Sequence, residues 1–472
     1  MIVMKFGGSS VESAAAIARV AGIVRERAAR KPVVVVSAMG KTTNRLLEIA
    51  QTAVAGNRGK ALELLDGLER FHIEEVHAPS EGDKLIESML DPHSPPGFGP
   101  PYVLQAVHSH FAELRELVKG LVIMGELTPR ATDAISAFGE RLSSLIVNAH
   151  FQYLGLDAVH VDSRQVIATD NRHTLAAPLY AESYEKLSAT IPPLAAAGKV
   201  VVMGGFIGST REGVTSTLGR GGSDFTASIV GAGIDAEEIQ IWTDVDGMLT
   251  CDPRIVEGGH RIKTCSFAEA AELAYFGAKV LHPATVVPAI EKNIPVLILN
   301  SRRPEVEGTR IVGESVQSSN PVKSIACKQN ITVVNIHSSR MLMAHGFLRR
   351  IFEVFDRYET PVDVVSTSEV SVSLTIDSTT NIEAILAELR EFSEASASNS
   401  SALISLVGEN IRSTSGVAAR AFSAIRDVNI RMISQGASIL NISFVVAQAD
   451  LKRSVELLHA EFFSQLDSEV FA

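Results

Sequence analysis

A stretch near the middle of the chain places one arginine among glycines, directly before a predicted helix. It reads TLGRGGSDFTASIVGAGI from Thr217 to Ile234, with Arg220 flanked by glycine on both sides. Glycine lets the backbone approach a ligand closely, a helix N-terminus presents unpaired N–H groups, and arginine can bind a carboxylate or phosphate bidentately. The stretch therefore indicates an anion site. The alternative is an ordinary turn in which Ser223 and Asp224 cap the helix.

Two further turns combine glycine with lysine or hydroxyl side chains after apolar segments. Lys5 ends the segment MIVMKF and precedes GGSS (7–10), a composition that suits phosphate oxygens. This is not the P-loop pattern because the lysine precedes the glycines, and a strand–turn–helix with a surface lysine is the alternative. Ser37 and Thr43 lie in VVSAMGKTTN, where hydroxyls could bind a polar substrate or cap a helix.

Other candidate residues are less distinctive on their own. The acids in WTDVDGMLTCDPR (242–254) could approach a nucleotide or magnesium, or could belong to turns. Lys279, in YFGAKVLHPA, is explained either by a helix break or by a nucleotide contact. Glu140, in FGERLS, belongs to a predicted helix, where a lone glutamate is usually solvated.

The first 300 residues alternate short apolar segments with longer helical patterns, which predicts an α/β/α layered domain with a mainly parallel, buried sheet. Strands are predicted at 1–6, 32–39, 157–162, 199–206, 238–245 and 294–300. Helices are predicted at 11–29, 44–56, 104–119, 128–154, 223–234 and 267–276. Residues 57–125 are predicted to form a helical insertion, interrupted by a loop at 91–101 because of its prolines and glycines.

The C-terminal part contains a weak repeat of about 70 residues. A strand, a helix and two strands at 330–376 recur at 402–446, with Gly346 and Gly416 opening equivalent helices and Phe352 and Phe422 in equivalent core positions. This repeat predicts two small ferredoxin-like βαββαβ modules.

Composition limits the class of protein. The net charge of −11 over 472 residues argues against a general nucleic-acid binder. Three widely spaced cysteines fit a reducing compartment. We find no signal peptide and no apolar run long enough to span a membrane, so we expect a cytoplasmic protein without nucleic-acid or membrane partners.

The ordered set KFGGSSV, VVSAMGKTTN, GFIG, TLGRGGSD, TDVDG, DPR and FGAKVLHPAT resembles the aspartate kinases, within the amino-acid kinase fold. The resemblance covers nearly the whole chain, and the paired C-terminal modules look like ACT domains. Because no dehydrogenase domain follows, the chain resembles the monofunctional type. HSSRMLMAHGFLRRIF (337–352) and VDVVSTSEVSVSL (362–374) resemble the effector segments of lysine-sensitive members. We expect a catalytic domain at 1–311, one ACT-like module at 320–395 and a second at 396–472.

The resemblance implies that ATP, with Mg²⁺, phosphorylates the side-chain carboxylate of L-aspartate in the first step of lysine, threonine and methionine synthesis. It implies catalytic roles for Lys5 and Asp224, with Asp224 holding Lys5 in place, and no metal-ligating side chains. It implies substrate-binding roles for Ser37, Thr43, Glu140, Phe206, Arg220 and Ser223. It implies ATP-binding roles for Gly7, Gly8, Ser9, Thr243, Asp244, Arg254 and Lys279.

The resemblance further implies feedback inhibition by an amino acid, with lysine as the expected effector and threonine as its main competitor, and a homodimer or larger homo-oligomer formed through the ACT-like modules. The expected effector residues are Met341, Gly346, Phe347, Leu348, Val362, Asp363, Ser368 and Glu369. The sequence departs from the family at Leu249, where a tyrosine is common, and at Met343 and Ala344, where polar residues are common. The alternatives are a kinase for acetylglutamate or glutamate and a ligand sensor whose kinase-like part is inactive.

Overall fold

The computed structural model describes residues 1–77, 100–277, 283–314, 318–339, 345–377 and 379–472. The strands are β1 (Ile2–Phe6), β2 (Pro32–Val36), β3 (Ala158–His160), β4 (Ala168–Thr169), β5 (Val200–Gly204), β6 (Ile207–Thr210), β7 (Thr215–Thr217), β8 (Glu238–Thr243), β9 (Thr264–Ser266), β10 (Val296–Asn300), β11 (Thr309–Val312), β12 (Ser324–His337), β13 (Val365–Thr367), β14 (Ser371–Ile376), β15 (Glu394–Val407), β16 (Met432–Gln435) and β17 (Asn441–Ala447).

The α-helices among these residues are α1 (Ala14–Glu26), α2 (Thr42–Val54), α3 (Arg58–His77), α4 (Pro100–Met124), α5 (Pro129–Ser136), α6 (Phe138–Tyr153), α7 (Ser163–Val166), α8 (Tyr180–Ala196), α9 (Gly222–Gly233), α10 (Phe267–Tyr275), α11 (Val287–Glu291), α12 (Phe347–Arg357), α13 (Ile382–Leu389), α14 (Val417–Ala424) and α15 (Leu451–Phe463). Within the ranges described, no helix is both long and apolar enough to cross a membrane.

The chain divides into two compact units, Met1–Gly247 with Leu281–Gly313, and Met248–Val280 with Glu314–Ala472. The second unit thus includes a segment, 248–280, that precedes the return of the chain to the first. The functional domain boundaries expected from the sequence stay a prediction.

The first unit contains a largely parallel sheet in the order β3-β5-β2-β1-β8-β10-β11. All six strands predicted from apolar segments are present, and β1, β2 and β5 are buried along their whole length. Such continuous burial is typical of parallel strands that helices cover on both faces, so the predicted layered α/β fold is confirmed. Only β11 joins this order antiparallel, against β10.

The register of the central strands brings the predicted site residues to one edge. Phe6, the last residue of β1, is the partner of Val36 on β2 and of Trp242 on β8. The turns that follow these three strands therefore begin at the same height, and open α/β sheets bind ligands at this carboxyl edge.

In the described residues of the predicted helical insertion lie α3 and α4, whose apolar faces join the core of the first unit. Leu65, Leu68, Phe111 and Leu114 are fully buried there. The loop predicted at 91–101 lies outside the described residues up to position 99, and α4 begins at Pro100. The insertion thus thickens the helical layer.

The second unit contains a six-stranded sheet in the order β13-β14-β12-β15-β17-β16. The C-terminal half of β12 pairs with the N-terminal half of β15, and the N-terminal half of β12 pairs with the C-terminal half of β15. Each half of the sheet then has the strand order of a ferredoxin-like module, so the predicted pair of modules is confirmed. The second module takes its last strand from residues 324–328, which precede the first module in sequence.

The two modules start their first helices as the repeat predicts. Gly346 and Gly416 are the N-cap residues of α12 and α14, with φ of 80° and 85°. The expectation that Phe352 is a core residue is wrong, because its side chain is 40% exposed. The buried face of α12 is formed instead by Phe347, Ile351 and Phe355.

Candidate active site

A cavity of about 360 Å³ opens at the carboxyl edge of the parallel sheet in the first unit. It is lined by Lys5, Gly8, Ser37, Ala38, Gly40, Lys41, Thr43, Asn44, Glu140, Phe206, Gly219, Gly221, Gly222, Ser223 and Asp224. Both residues expected to be catalytic and five of the six expected to bind substrate are in this lining. Residues far apart in sequence therefore converge where strand ends and helix starts meet.

Lys5 and Asp224 form an ion pair on the wall of this cavity. The distance from Lys5 Nζ to Asp224 Oδ1 is 2.7 Å, and both side chains are largely buried. The contact expected from the sequence is therefore present. The expectation that Ser223 and Asp224 cap the helix is wrong, since α9 begins at Gly222 with Gly221 as its N-cap and no side-chain cap.

Glu140 lies in the first turn of α6, and its side chain is buried, contrary to the usual position of a helical glutamate. Its Oε1 accepts a hydrogen bond from the N–H of Ala38 at 3.2 Å, while Oε2 has no hydrogen-bond partner among the residues that the structure describes. Burial raises the pKa of the Glu140 carboxyl to about 8, against the lowering effects of backbone hydrogen bonds, including that from Ala38, and of the positive charge of Lys5. A buried acceptor is thus left open toward a cationic ligand.

The turn after β1 lies unusually close to the turn after β2. A Cβ at Gly8 would lie 2.7 Å from the carbonyl oxygen of Ala38 and 2.9 Å from that of Gly40. A side chain at this position would therefore separate the two turns. The N–H of Gly40 donates to the carbonyl of Gly8 at 3.0 Å, which fixes their spacing.

Phe206 follows β5 with a left-handed φ of 65°, an uncommon conformation for a bulky residue. Its N–H donates to Thr226 Oγ1 at 2.9 Å, and its carbonyl accepts from the N–H of Leu218 at 2.9 Å. The conformation is therefore held by Thr226 on α9 and by Leu218, which follows β7 and begins the glycine turn at 218–222.

Several residues expected to bind substrate or ATP do not line this cavity. Arg220 is exposed in the glycine turn but is not among the cavity-lining residues. Thr243 ends β8 and Asp244 follows it at the same sheet edge, where Thr243 Oγ1 donates to Asp244 at 3.2 Å; neither residue lines the cavity. Gly7 and Ser9 also lie outside the lining.

Two expected nucleotide-binding residues cannot be assigned to this cavity. Arg254 belongs to the second unit, where it forms a bidentate ion pair with Asp252. Lys279 lies outside the described residues.

Among the expected effector residues, Asp363 has a largely buried carboxylate with side-chain hydrogen-bond partners. Its Oδ1 accepts hydrogen bonds from Lys328 Nζ and Tyr275 OH, each at 2.9 Å. Its Oδ2 is buried and has no partner in the described part of the chain. Burial opposes a proton on Lys328, but the hydrogen bonds to Asp363 and Asp377 outweigh it and raise the pKa of Lys328.

The other expected effector residues lie near the ends of α12 and of the β13–β14 hairpin. Phe347 is buried and Leu348 is 40% exposed. Val362 packs against the core of this module. Ser368 and Glu369 are exposed in the hairpin turn, and no hydrogen bond or ion pair within the described part of the chain joins either of them to Asp363. Met341 lies outside the described residues.

Sequence reasoning missed two polar residues of the cavity, Lys41 and Asn44. Both belong to the motif VVSAMGKTTN. Their signal was position alone: Lys41 directly follows a glycine turn and stands at the N-cap position of α2. Lys41 gives the cavity a second lysine beside Lys5.

Family profiles and known relatives match this chain over most of its length. The amino acid kinase family profile matches residues 1–300, and an ACT domain profile matches residues 404–462. Aspartokinase 1, chloroplastic, of Arabidopsis thaliana is 38% identical over 98% of this chain and 80% of its own length. Lysine-sensitive aspartokinase 3 of Escherichia coli K12 is 34% identical over 98% of this chain and 99% of its own length.

Solved structures agree with these sequence relatives. The structure of E. coli aspartokinase III with aspartate and ADP is 33% identical, has a TM-score of 0.80 and covers 98% of this chain and 100% of that chain. The structure of the same protein with lysine and aspartate has a TM-score of 0.82 at 33% identity and covers 98% and 99%. With such identity over nearly its whole length and the same fold, the chain belongs to the aspartokinase family.

Proposed function

We propose that this enzyme transfers the γ-phosphoryl group of ATP to the side-chain carboxylate of L-aspartate, releasing ADP and 4-phospho-L-aspartate. The observation that carries the proposal is the Lys5–Asp224 ion pair in a cavity that also contains the open, buried carboxyl of Glu140. The E. coli relative, solved with aspartate and ADP, supports the choice of substrates.

The proposed chemistry needs no general base. An aspartate carboxylate is already ionised at neutral pH, so its oxygen attacks the γ-phosphorus as the bond to the bridging oxygen of ADP breaks. Catalysis then consists of alignment and charge stabilisation. Lys5 stabilises the negative charge on the transferred group, and Asp224 keeps the Lys5 ammonium on that side of the cavity.

The α-ammonium and α-carboxylate groups of the substrate are each bound by a side chain of opposite charge. Glu140 Oε2 accepts from the α-ammonium group, and Arg220 in the glycine turn binds the α-carboxylate bidentately. Ser37, Thr43, Phe206 and Ser223 complete this pocket. An amine-binding carboxyl without a competing partner distinguishes an amino-acid substrate from an N-acetylated one.

ATP is proposed to enter as its magnesium complex, with phosphates near Gly7, Gly8 and Ser9 and further contacts from Thr243, Asp244, Arg254 and Lys279. Mg²⁺ commonly keeps several waters and binds through substrate phosphates. We propose that the ion enters with the ATP phosphates rather than being held by a cage of protein side chains.

The test is ADP release with L-aspartate, L-glutamate, N-acetyl-L-glutamate and succinate, each with and without MgATP. We expect turnover with L-aspartate, and an acyl phosphate product that hydroxylamine converts to a hydroxamate. Equal turnover of succinate, which lacks the ammonium group, would contradict the Glu140 assignment. A preference for N-acetyl-L-glutamate would contradict the proposed function. If none of the four acceptors is phosphorylated, the chain would instead be a ligand sensor whose kinase-like part is inactive.

Arg220→Lys tests the substrate pocket separately. The lysine keeps the positive charge but loses the planar fork, so we expect a higher KM for aspartate with little change in the KM for ATP. A change confined to the KM for ATP would place Arg220 on the nucleotide side.

Feedback inhibition by lysine is proposed at the first ACT-like module. The free Oδ2 of Asp363 can accept from an ammonium group of the effector, and the N–H groups that begin α12 after Gly346 suit its carboxylate. Glu369 and Ser368 are proposed to bind the second ammonium group. The name of the lysine-sensitive E. coli relative and its structure with lysine support this choice. Indifference of activity to lysine, with inhibition by threonine, would change the effector and leave the kinase assignment intact.

A homodimer or larger homo-oligomer through the ACT-like modules is also proposed. Leu348 and Phe352 on α12 are each 40% exposed and provide apolar surface for such contacts. Light scattering after size-exclusion chromatography tests this assembly. A cytoplasmic location stays a prediction.

A further inference from the structure

Asp133, on α5, is a buried carboxylate that the proposed mechanism does not use. Its side chain is fully inaccessible to solvent. Oδ1 accepts from Thr217 Oγ1 at 2.5 Å and from the N–H of Thr174 at 3.0 Å. Oδ2 is 2.7 Å from His173 Nδ1 and 3.1 Å from the N–H of Thr174. One carboxylate therefore joins a helix, a loop and the end of β7.

The loop at 171–176 is held in an unusual conformation by this carboxylate. Thr174 has a φ of 71°, which is rare for a β-branched residue and costs conformational energy. Because its N–H contacts both oxygens of Asp133, the hydrogen bonds offset that cost. The loop is also tied to β7 directly, since the N–H of Ala176 donates to the carbonyl of Thr217 at 3.0 Å.

This loop packs against the glycine turn that carries Arg220. Gly219 has a φ of 76°, and a Cβ there would lie 2.6 Å from Leu175 Cδ2 and 3.2 Å from the carbonyl oxygen of Thr174. Gly219 itself lines the cavity. The path from Asp133 to Arg220 is therefore short: Thr217 lies three residues before Arg220, and the loop at 171–176 limits the turn from its other side.

The chemistry of the contacts requires an acceptor-only group. A carboxylate accepts from the hydroxyl of Thr217 and the N–H of Thr174 at once, whereas an asparagine would turn its N–H₂ group toward at least one of these two donors. Since the site is fully buried, no solvent replaces a lost partner.

We infer that Asp133 is a positioning residue that fixes the glycine turn at 218–222, and thereby Arg220, for binding the substrate carboxylate. This inference rests on the proposed function of Arg220. Asp133 does not touch substrate, and its effect reaches the cavity through Thr217 and the loop at 171–176.

Thr217→Val tests the inference with little risk to folding, because it keeps the side-chain shape and removes only the hydroxyl donor. Thr217→Ser is the matched control, since it keeps the donor. We expect Thr217→Val to raise the KM for aspartate about tenfold, near the lower end of the effect of one lost hydrogen bond to a charged group, with the KM for ATP within about twofold of wild type. Thr217→Ser should stay near wild type.

The double variant with Arg220→Lys separates positioning from a general structural role. If Thr217 acts through Arg220, Thr217→Val should cost less than about threefold in the Arg220→Lys background, because coupled residues are not additive. Full additivity, a parallel rise in both KM values, or an unchanged KM in Thr217→Val would each overturn the inference. When Arg220→Lys alone raises the KM for aspartate, these outcomes leave the proposed function intact. An Arg220→Lys variant with an unchanged KM for aspartate overturns both.

Discussion

If Glu140 binds the substrate ammonium as proposed, its raised pKa predicts that the affinity for aspartate depends on pH. The carboxyl is buried and its pKa is raised to about 8, so in the free enzyme it is mostly protonated below that pH. In the proposed complex, the substrate ammonium binds the ionised form. Binding below pH 8 must therefore release a proton, and apparent affinity falls as the pH falls.

The size of the effect follows from linkage. If only the ionised enzyme binds, the apparent dissociation constant is multiplied by about 2 at pH 8, about 11 at pH 7 and about 100 at pH 6. The bound ammonium keeps Glu140 ionised, so kcat at saturating aspartate should change much less than KM. This split between KM and kcat separates Glu140 from groups that titrate in the chemical step.

The assay is initial-rate ADP release at saturating MgATP between pH 6 and pH 8.5, with aspartate varied at each pH. Glu140→Gln removes the titrating group and should show a high, nearly pH-independent KM for aspartate. Glu113→Gln is the control, since this exposed carboxylate on α4 pairs with Arg141 and should leave the wild-type slope unchanged. A flat KM in the wild type, or a slope that persists in Glu140→Gln, would refute the reasoning.

Three further predictions concern other parts of the chain. Lys5→Ala should lower kcat by about 10²–10³, as for removal of one preorganised charge-stabilising group; near wild-type turnover in the ADP-release assay would exclude Lys5 from catalysis. Asp363→Ala and Glu369→Ala should each relieve inhibition by lysine without loss of basal activity, measured as lysine titrations beside the wild type; undiminished inhibition in both would exclude the proposed effector site. Lys323→Met should destabilise the second unit by about 3–5 kcal/mol in urea unfolding, because it leaves Glu269 as an uncompensated buried charge. The exposed pair of Lys60 with Glu63 provides the control, where Lys60→Met should cost less than about 1 kcal/mol.

The elements of the first unit could be predicted because their signals are local. The strands at 1–6, 32–39 and 199–206 are nearly uninterrupted apolar segments, and in a parallel sheet such segments are buried on both faces. The start of α9 could not be fixed to one residue in this way. Ser223 and Asp224 have good capping side chains, but Gly221 can adopt a left-handed conformation and the carboxylate of Asp224 is bound by Lys5.

The pairing of the C-terminal modules could be predicted only in part. The repeat gives the order of strands and helices within each module, since that order is written in consecutive residues. It does not reveal that β12 extends into both modules, because the pairing of Ser324 with Val407 depends on a contact between segments more than eighty residues apart. A boundary drawn in sequence therefore cannot divide the two modules cleanly.

Sequence alone also does not show which helical carboxylates belong to the candidate site, because that depends on which of them are buried. Glu140 and Asp133 are carboxylates in helices, and from sequence a helical carboxylate is expected to face water. What makes each of them distinctive is the packing around it: Ala38 from the turn after β2 meets Glu140, and Thr174 and Thr217 from separate segments meet Asp133. The resemblance to aspartate kinases selected Glu140 but left Asp133 unselected, although the two lie on adjacent helices. Glu140 and Asp133 differ from solvated helical carboxylates because the fold buries them and offers each only a few hydrogen-bond donors. These donors come from several chain segments that converge at the carboxyl ends of the strands, so no single sequence motif reveals them.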